Sequence, residues 1–110
     1  MDSESAITKT AVTYPITVAA ATTTTVRAIG AGLRFHIMGL FLRANGAETV
    51  VFQSEGNALS GAITFADAQE LHLPVGKVPH MSGRATGEDF KITTGIGAQI
   101  SGWATIAEEK

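Results

Sequence analysis

Residues 48–74, ETVVFQSEGNALSGAITFADAQELHLP, alternate apolar and polar side chains between clusters of turn formers. Val50 and Phe52 alternate with Thr49, Val51 and Gln53 before Ser54, Glu55, Gly56 and Asn57 interrupt the run. Leu59, Ile63 and Phe65 share the next parity, with Gly61 among them. After a second break at 66–70, Leu71 and Leu73 flank His72, and Pro74 stops the pattern. Successive side chains of a strand point to opposite faces, whereas a helix repeats about every 3.6 residues. Three short, half-buried antiparallel strands are therefore expected here.

The rest of the chain reads the same way. Residues 12–18 predict an edge strand, because Pro15 has no N–H to give to a ladder. The β-branched threonine run predicts a strand over 23–29. Over 33–43, Leu33, Phe35 and Ile37 share one parity and Leu40 and Leu42 the other, with Gly39 at the slip. A β-bulge at Gly39 would bring all five into one core; a strand bending from one sheet into another is the alternative. Asn45-Gly46 predicts a hairpin that pairs this long strand with residues 49–53. Gly30-Ala31-Gly32 and Gly95-Ile96-Gly97 read as hairpin turns, since neither opens a helix that could hold a phosphate.

Residues 75–87 form a long loop with at most a short strand near His80. Phe90 and Ile92 begin another strand. The last runs over 99–106, with Ile100, Ala104 and Ile106 on one face and Ser101, Trp103 and Thr105 on the other. The fold class that follows is all-β: a single small antiparallel β-sandwich, jelly-roll-like, of about eight strands over 11–107. Residues 1–10 are expected to be a flexible arm and 108–110 a polar tail.

Composition narrows the function. A net charge of −2 argues against nucleic-acid binding by charge neutralisation. Charged residues make up 16% of the chain, against about 25% in ordinary soluble domains. A surface so short of charge is expected where copies of the chain cover one another, as in a homo-oligomer. There is no cysteine, so disulfides, thiolate nucleophiles and cysteine-held zinc are excluded. The apolar run at 37–42 is too short to cross a bilayer and is flanked by Arg34 and Arg43. The first ten residues carry no apolar signal core, and a soluble, cytosolic setting without membrane contact is expected.

Chemistry-bearing residues are sparse. His36 and His72 fall on polar parities, and without a suitably spaced carboxylate they read as solvated strand residues, so no metal or cofactor is expected. Ser54, Ser60, Ser82 and Asp67 lie in loops outside any nucleophile motif, and no catalytic residue is assigned. Glu88-Asp89 and Glu108-Glu109 are sequence neighbours, which a strand would point to opposite faces. Trp103 lies opposite the Ile100/Ile106 face, either pointing outward into an interface or buried by a wide sandwich. With Tyr14 and His72 it could instead make a stacking platform for a sugar. Lys77, His80, Met81 and Arg84 form a basic, soft patch suited to an acidic surface.

One resemblance joins these features. Thr23-Thr24-Thr25-Val26, then Val50-Val51-Phe52-Gln53-Ser54, Ala58-Leu59-Ser60-Gly61-Ala62-Ile63, Leu71-His72-Leu73-Pro74, Gly87-Glu88 and Ile100-Ser101-Gly102 follow one another in an order that resembles small β-sandwich virion proteins of tailed bacteriophages. The likeness covers about three quarters of the chain. It implies a structural protein: a capsid decoration (cement) protein, a head fibre or a tail component. Such proteins oligomerise, often as trimers, and the implied partner is the major capsid protein on the surface of a head assembled in the host cytoplasm. The family's aromatic-rich turn after the Leu-Pro position is replaced here by Val75-Gly76-Lys77-Val78-Pro79-His80-Met81. The resemblance brings no catalytic residue. A tail- or fibre-associated carbohydrate- or receptor-binding module is the alternative.

Overall fold

The computed structural model describes residues 11–110; the arm expected at 1–10 lies outside them. Ten strands are described: β1 (Val12–Val18), β2 (Thr23–Arg27), β3 (Arg34–Ala44), β4 (Glu48–Ser54), β5 (Asn57–Ala58), β6 (Ile63–Phe65), β7 (Glu70–Leu73), β8 (Met81–Ser82), β9 (Phe90–Thr94) and β10 (Ile100–Glu109). One sheet runs β1-β10-β3-β7, with β8 following β7 along the same edge of β3. The other runs β2-β9-β4-β5, with β6 on the same edge of β4. Both are antiparallel. The chain changes sheet after β1, β2, β3, β4–β6, β7–β8 and β9, and its first and last strands pair. This is the wound double Greek key of a jelly roll. β5 and β8 are two-residue bridges, so eight strands carry the structure.

That winding corrects the hairpin expectations. β3 and β4 belong to different sheets, so Asn45-Gly46 is a corner between sheets. A two-residue type I′ hairpin needs positive φ at both central residues, and neither Asn45 nor Gly46 has it. Asn45 N–H instead donates to the Gln99 carbonyl at 3.0 Å. The turns at Gly30-Ala31-Gly32 and Gly95-Ile96-Gly97 likewise join strands of opposite sheets.

The bulge is present. Along β10 and β3, Thr105 faces Gly39 and Ile106 faces Ile37, which leaves Met38 as the extra residue. The slip returns Phe35, Ile37, Leu40 and Leu42 to one core, with Leu33 packed at its margin. Met38 turns away and is buried against Ala107 and Ala11. β1 is the edge strand that Pro15 predicts, with Tyr14, Ile16 and Val18 facing inward. β10 continues past Ile106 through Glu109, so the expected tail is mostly strand, in register with Arg34 to His36.

Between the sheets, Phe35 of β3 tilts onto Phe90 of β9 at 5.3 Å, and Phe90 stacks on Phe52 of β4 at 6.2 Å. Each is fully buried, worth about 1.5–3 kcal/mol apiece. Arg27 of β2 and Glu108 of β10 tie the sheets at their margin with a 2.7 Å ion pair. The connections gather at two ends. At one, Ala21 N–H bonds Gly95 O and Ala44 N–H bonds Gln69 O; at the other, Glu55 N–H bonds Asp89 O and Gly87 N–H bonds Leu33 O.

β10 lies close against β3 at Gly102, where a Cβ would overlap the carbonyl oxygen of Phe41. Gly102→Ala is expected to destabilise the fold by at least about 2 kcal/mol in urea unfolding. Gly61→Ala, whose Cβ meets open space, should stay within about 0.5 kcal/mol of the wild type.

Candidate functional site

The residues that face away from the core on the β1-β10-β3-β7 sheet form transverse rows. In the middle row Pro15 pairs with Trp103, Trp103 with Phe41, and Phe41 with His72. The Trp103 and Phe41 rings lie 6.3 Å apart and 20° from parallel, and His72 meets both edge-on at 6.1 and 6.0 Å. Trp103 and Phe41 are half-buried, Pro15 and His72 exposed. Four strands at 4.7–4.9 Å spacing make this row about 14 Å long. To one side lies a polar row, Thr17, Ser101, Arg43 and Glu70. To the other lie Thr13 and Thr105, whose hydroxyls bond each other at 2.8 Å. There the surface dips into an open depression of about 460 Å³ lined by Thr13, Pro15, Val75, Gly102, Trp103 and Thr105. No charged side chain lines it.

Trp103 and His72 are thus brought together as the sugar-platform reading requires, but Tyr14 is not. Tyr14 pairs with Ala104 and packs against the core, with the Arg27 guanidinium 4.9 Å from its ring centre. Phe41 fills the platform instead. Its signal in the sequence was position alone: it sits between Leu40 and Leu42, at the parity the core does not use.

The loop residues scatter. Lys77, His80 and Arg84 are exposed, while Met81 enters β8 and packs against the core, so it does not belong to a surface patch. The loop is stitched along β3: Gly76 N–H donates to Met38 O, His80 to Ile37 O, Gly83 to Phe35 O and Gly87 to Leu33 O. His80 Nε2 also bonds the Pro74 carbonyl at 2.8 Å.

His36 is not a solvated strand residue. It is 6% exposed, with Nδ1 2.7 Å from Ser82 Oγ and Nε2 2.9 Å from Glu109 Oε1. A serine, a histidine and an acid therefore meet, which sequence reading missed because the three lie 27 to 73 positions apart. The N–H following Ser82 is committed to Phe35 O at 2.9 Å, so it cannot serve an oxyanion. The trio staples the end of β10 and the loop strand β8 to β3.

Glu48 is the buried carboxylate, 4% exposed at the start of β4. Its carboxylate accepts from Thr49 N–H at 2.8 Å, Ala98 N–H at 2.8 Å and Gly97 N–H at 3.4 Å. Burial pushes its pKa up, but the N–H groups of Thr49, Ala98, Gly97 and Gly95 together outweigh burial and hold it below the ordinary carboxylate value. Glu48 thereby clamps the β9–β10 turn, in which Ile96 is 92% exposed. Among the described residues no group of three or more His, Cys, Asp or Glu is placed to hold a metal.

No protein family matches the chain, and no curated protein matches it. Among solved structures, the chain is similar to one described as "Bacillus endospore appendages form a novel family of disulfide-linked pili", at 17% identity and a TM-score of 0.48, over 92% of this chain and 88% of that one.

Glu48 makes the fold acid-sensitive with a definite sign. Its folded pKa lies below the unfolded value, so its contribution is full above the ordinary carboxylate range and is lost as pH falls through the folded pKa. The Tm difference between wild type and Glu48→Gln is expected to be largest at neutral pH and to shrink in acid. A difference that grows on acidification would contradict this.

Proposed function

We propose that this protein is a non-enzymatic structural subunit of a virion, of the capsid decoration type, which self-associates and docks on a shell of major capsid protein. The observation that carries the reading is the Pro15–Trp103–Phe41–His72 row. It places two half-exposed aromatic rings at the centre of a sheet face and borders them with an uncharged depression. Interface cores are depleted in charge and enriched in aromatic residues, and tryptophan dominates their energetics. A jelly roll is at home in viral shells and in lectins alike, so the fold by itself does not decide. The low overall charge supports covered surfaces. Self-association, with a trimer as the expected state, buries the aromatic face; Lys77, His80 and Arg84, exposed at separate points along the 75–87 loop, offer individual contacts to an acidic shell. Many copies on one lattice act together, so a modest affinity per copy suffices.

A second reading has its own observation. Trp103, Phe41 and His72 lie beside Ser101, Arg43 and Glu70, so a sugar could stack on the rings and bond its hydroxyls along the polar row. A glycan array separates the two, because a decoration subunit shows no sugar preference.

Trp103→Ala is expected to weaken self-association by about tenfold or more, read as a shift to smaller species in sedimentation velocity. An unchanged profile would count against the interface. Purified protein mixed with expanded, undecorated heads should appear as regular surface density by electron microscopy.

A further inference from the structure

We infer that the Gly95-Ile96-Gly97 turn is a rigid knob, and that the depression beside Trp103 is its socket on a second copy of this chain. The inference rests on the self-association reading and specifies its geometry.

The knob is built with care. Ile96 is the most exposed large apolar residue described, at 92%. The turn around it is held on every side. Ala21 N–H bonds Gly95 O at 2.6 Å, Gly95 N–H bonds Thr49 O at 3.1 Å, and Asn45 N–H bonds Gln99 O at 3.0 Å. The Glu48 carboxylate takes the N–H groups of Gly97 and Ala98. Both neighbours of Ile96 press against β4. A Cβ at Gly97 would overlap the Ala47 carbonyl, and one at Gly95 would lie 2.5 Å from Thr49 Oγ1. The chain is thus pinned on both sides of a single isoleucine left in water. Fixing it there in advance removes most of the ordering cost that a loose loop would incur on binding.

The socket matches in chemistry. Pro15, Val75 and Trp103 give it apolar walls, and the backbone of Gly102 lines it between them. Thr13 and Thr105 bond each other through one shared hydroxyl hydrogen, so an aliphatic guest leaves at most one O–H donor to be satisfied. Knob and socket are both free of exposed charge, so bringing them together desolvates none. They lie on different parts of one molecule, the knob at a turn joining the two sheets and the socket on one sheet's outer face. The contact is therefore heterologous: each copy gives its knob to one neighbour and receives a knob from another. Such contacts close into a ring or run on as a filament.

Two variants test this. Ile96→Asp removes the knob and keeps the socket; Thr13→Glu charges the socket and keeps the knob. Both positions are exposed, and thermal melts close to wild type confirm folding. The wild type is expected to assemble as concentration rises, with the emission of Trp103, the chain's one tryptophan, shifting to the blue. Each variant alone should remain monomeric, its dissociation constant raised more than about tenfold. Mixed in equal amounts, they should form a discrete two-chain species, since one intact socket then meets one intact knob. If the wild type assembles and Ile96→Asp assembles equally well, the knob is refuted and the structural reading survives. If the wild type assembles but the mixed variants stay monomeric, the heterologous geometry is refuted. A wild type that is monomeric at every concentration sinks both readings. So does a Trp103 emission that responds to a sugar and never to protein concentration.

Discussion

The pairing of β10 with β3, offset by one residue at Met38, is the constraint on which the rest depends. Without the offset, Leu40 and Leu42 would point out wherever Phe35 and Ile37 point in, because a one-residue slip exchanges the two faces of a strand. With it, one eleven-residue strand serves one core along its whole length. The same offset settles what faces outward. Phe41 is delivered to the outer surface directly across from Trp103, and the aromatic row exists because the two strands keep that register. The close approach at Gly102 holds it.

The buried polar groups are few, and apart from Thr105 in the middle of β10 they lie near strand ends. Glu48 gathers N–H groups at the start of β4, and His36 joins Ser82 to Glu109 where β10 finishes. Ser54, at the end of β4, donates to Glu88 at 2.6 Å and accepts from Arg84 N–H at 3.0 Å. No buried side-chain polar atom among the described residues is left without a partner. A buried group without its bonds costs about 1–3 kcal/mol, so satisfied groups at the ends fix where each strand stops. At the centre of the outward face, by contrast, the Trp103, Phe41 and His72 rings meet through packing.

Parity made much of the fold legible. Alternation identified Val50 and Phe52 as core and located the slip near Gly39, which it left open between a bulge and a bend into the other sheet; the missing N–H of Pro15 marked the edge strand. Partner choice was not legible. Asn45-Gly46 is chemistry for a local hairpin, and local turn preference is weak against the burial obtained by sending β4 to the other sheet. Tyr14 was misplaced because an exposed-looking aromatic on an edge strand gives no sign of which side its neighbour will cover. His36 was misread for a related reason: its polar parity holds, but Ser82 and Glu109 come from β8 and the end of β10 to cover it. Phe41 was overlooked because a phenylalanine inside an apolar run reads as core unless its parity is weighed against both neighbours.

The winding of the chain has a further consequence. β1 meets β10 across almost the entire sequence, and six of the nine steps from strand to strand also change sheet. Few ladders can therefore form early from neighbouring segments, and high contact order of this kind slows folding by orders of magnitude. Those late-formed ladders must also break before the molecule can open, and interactions absent from the transition state chiefly slow unfolding. A domain wound this way is suited to stay shut, once made, far longer than it took to close.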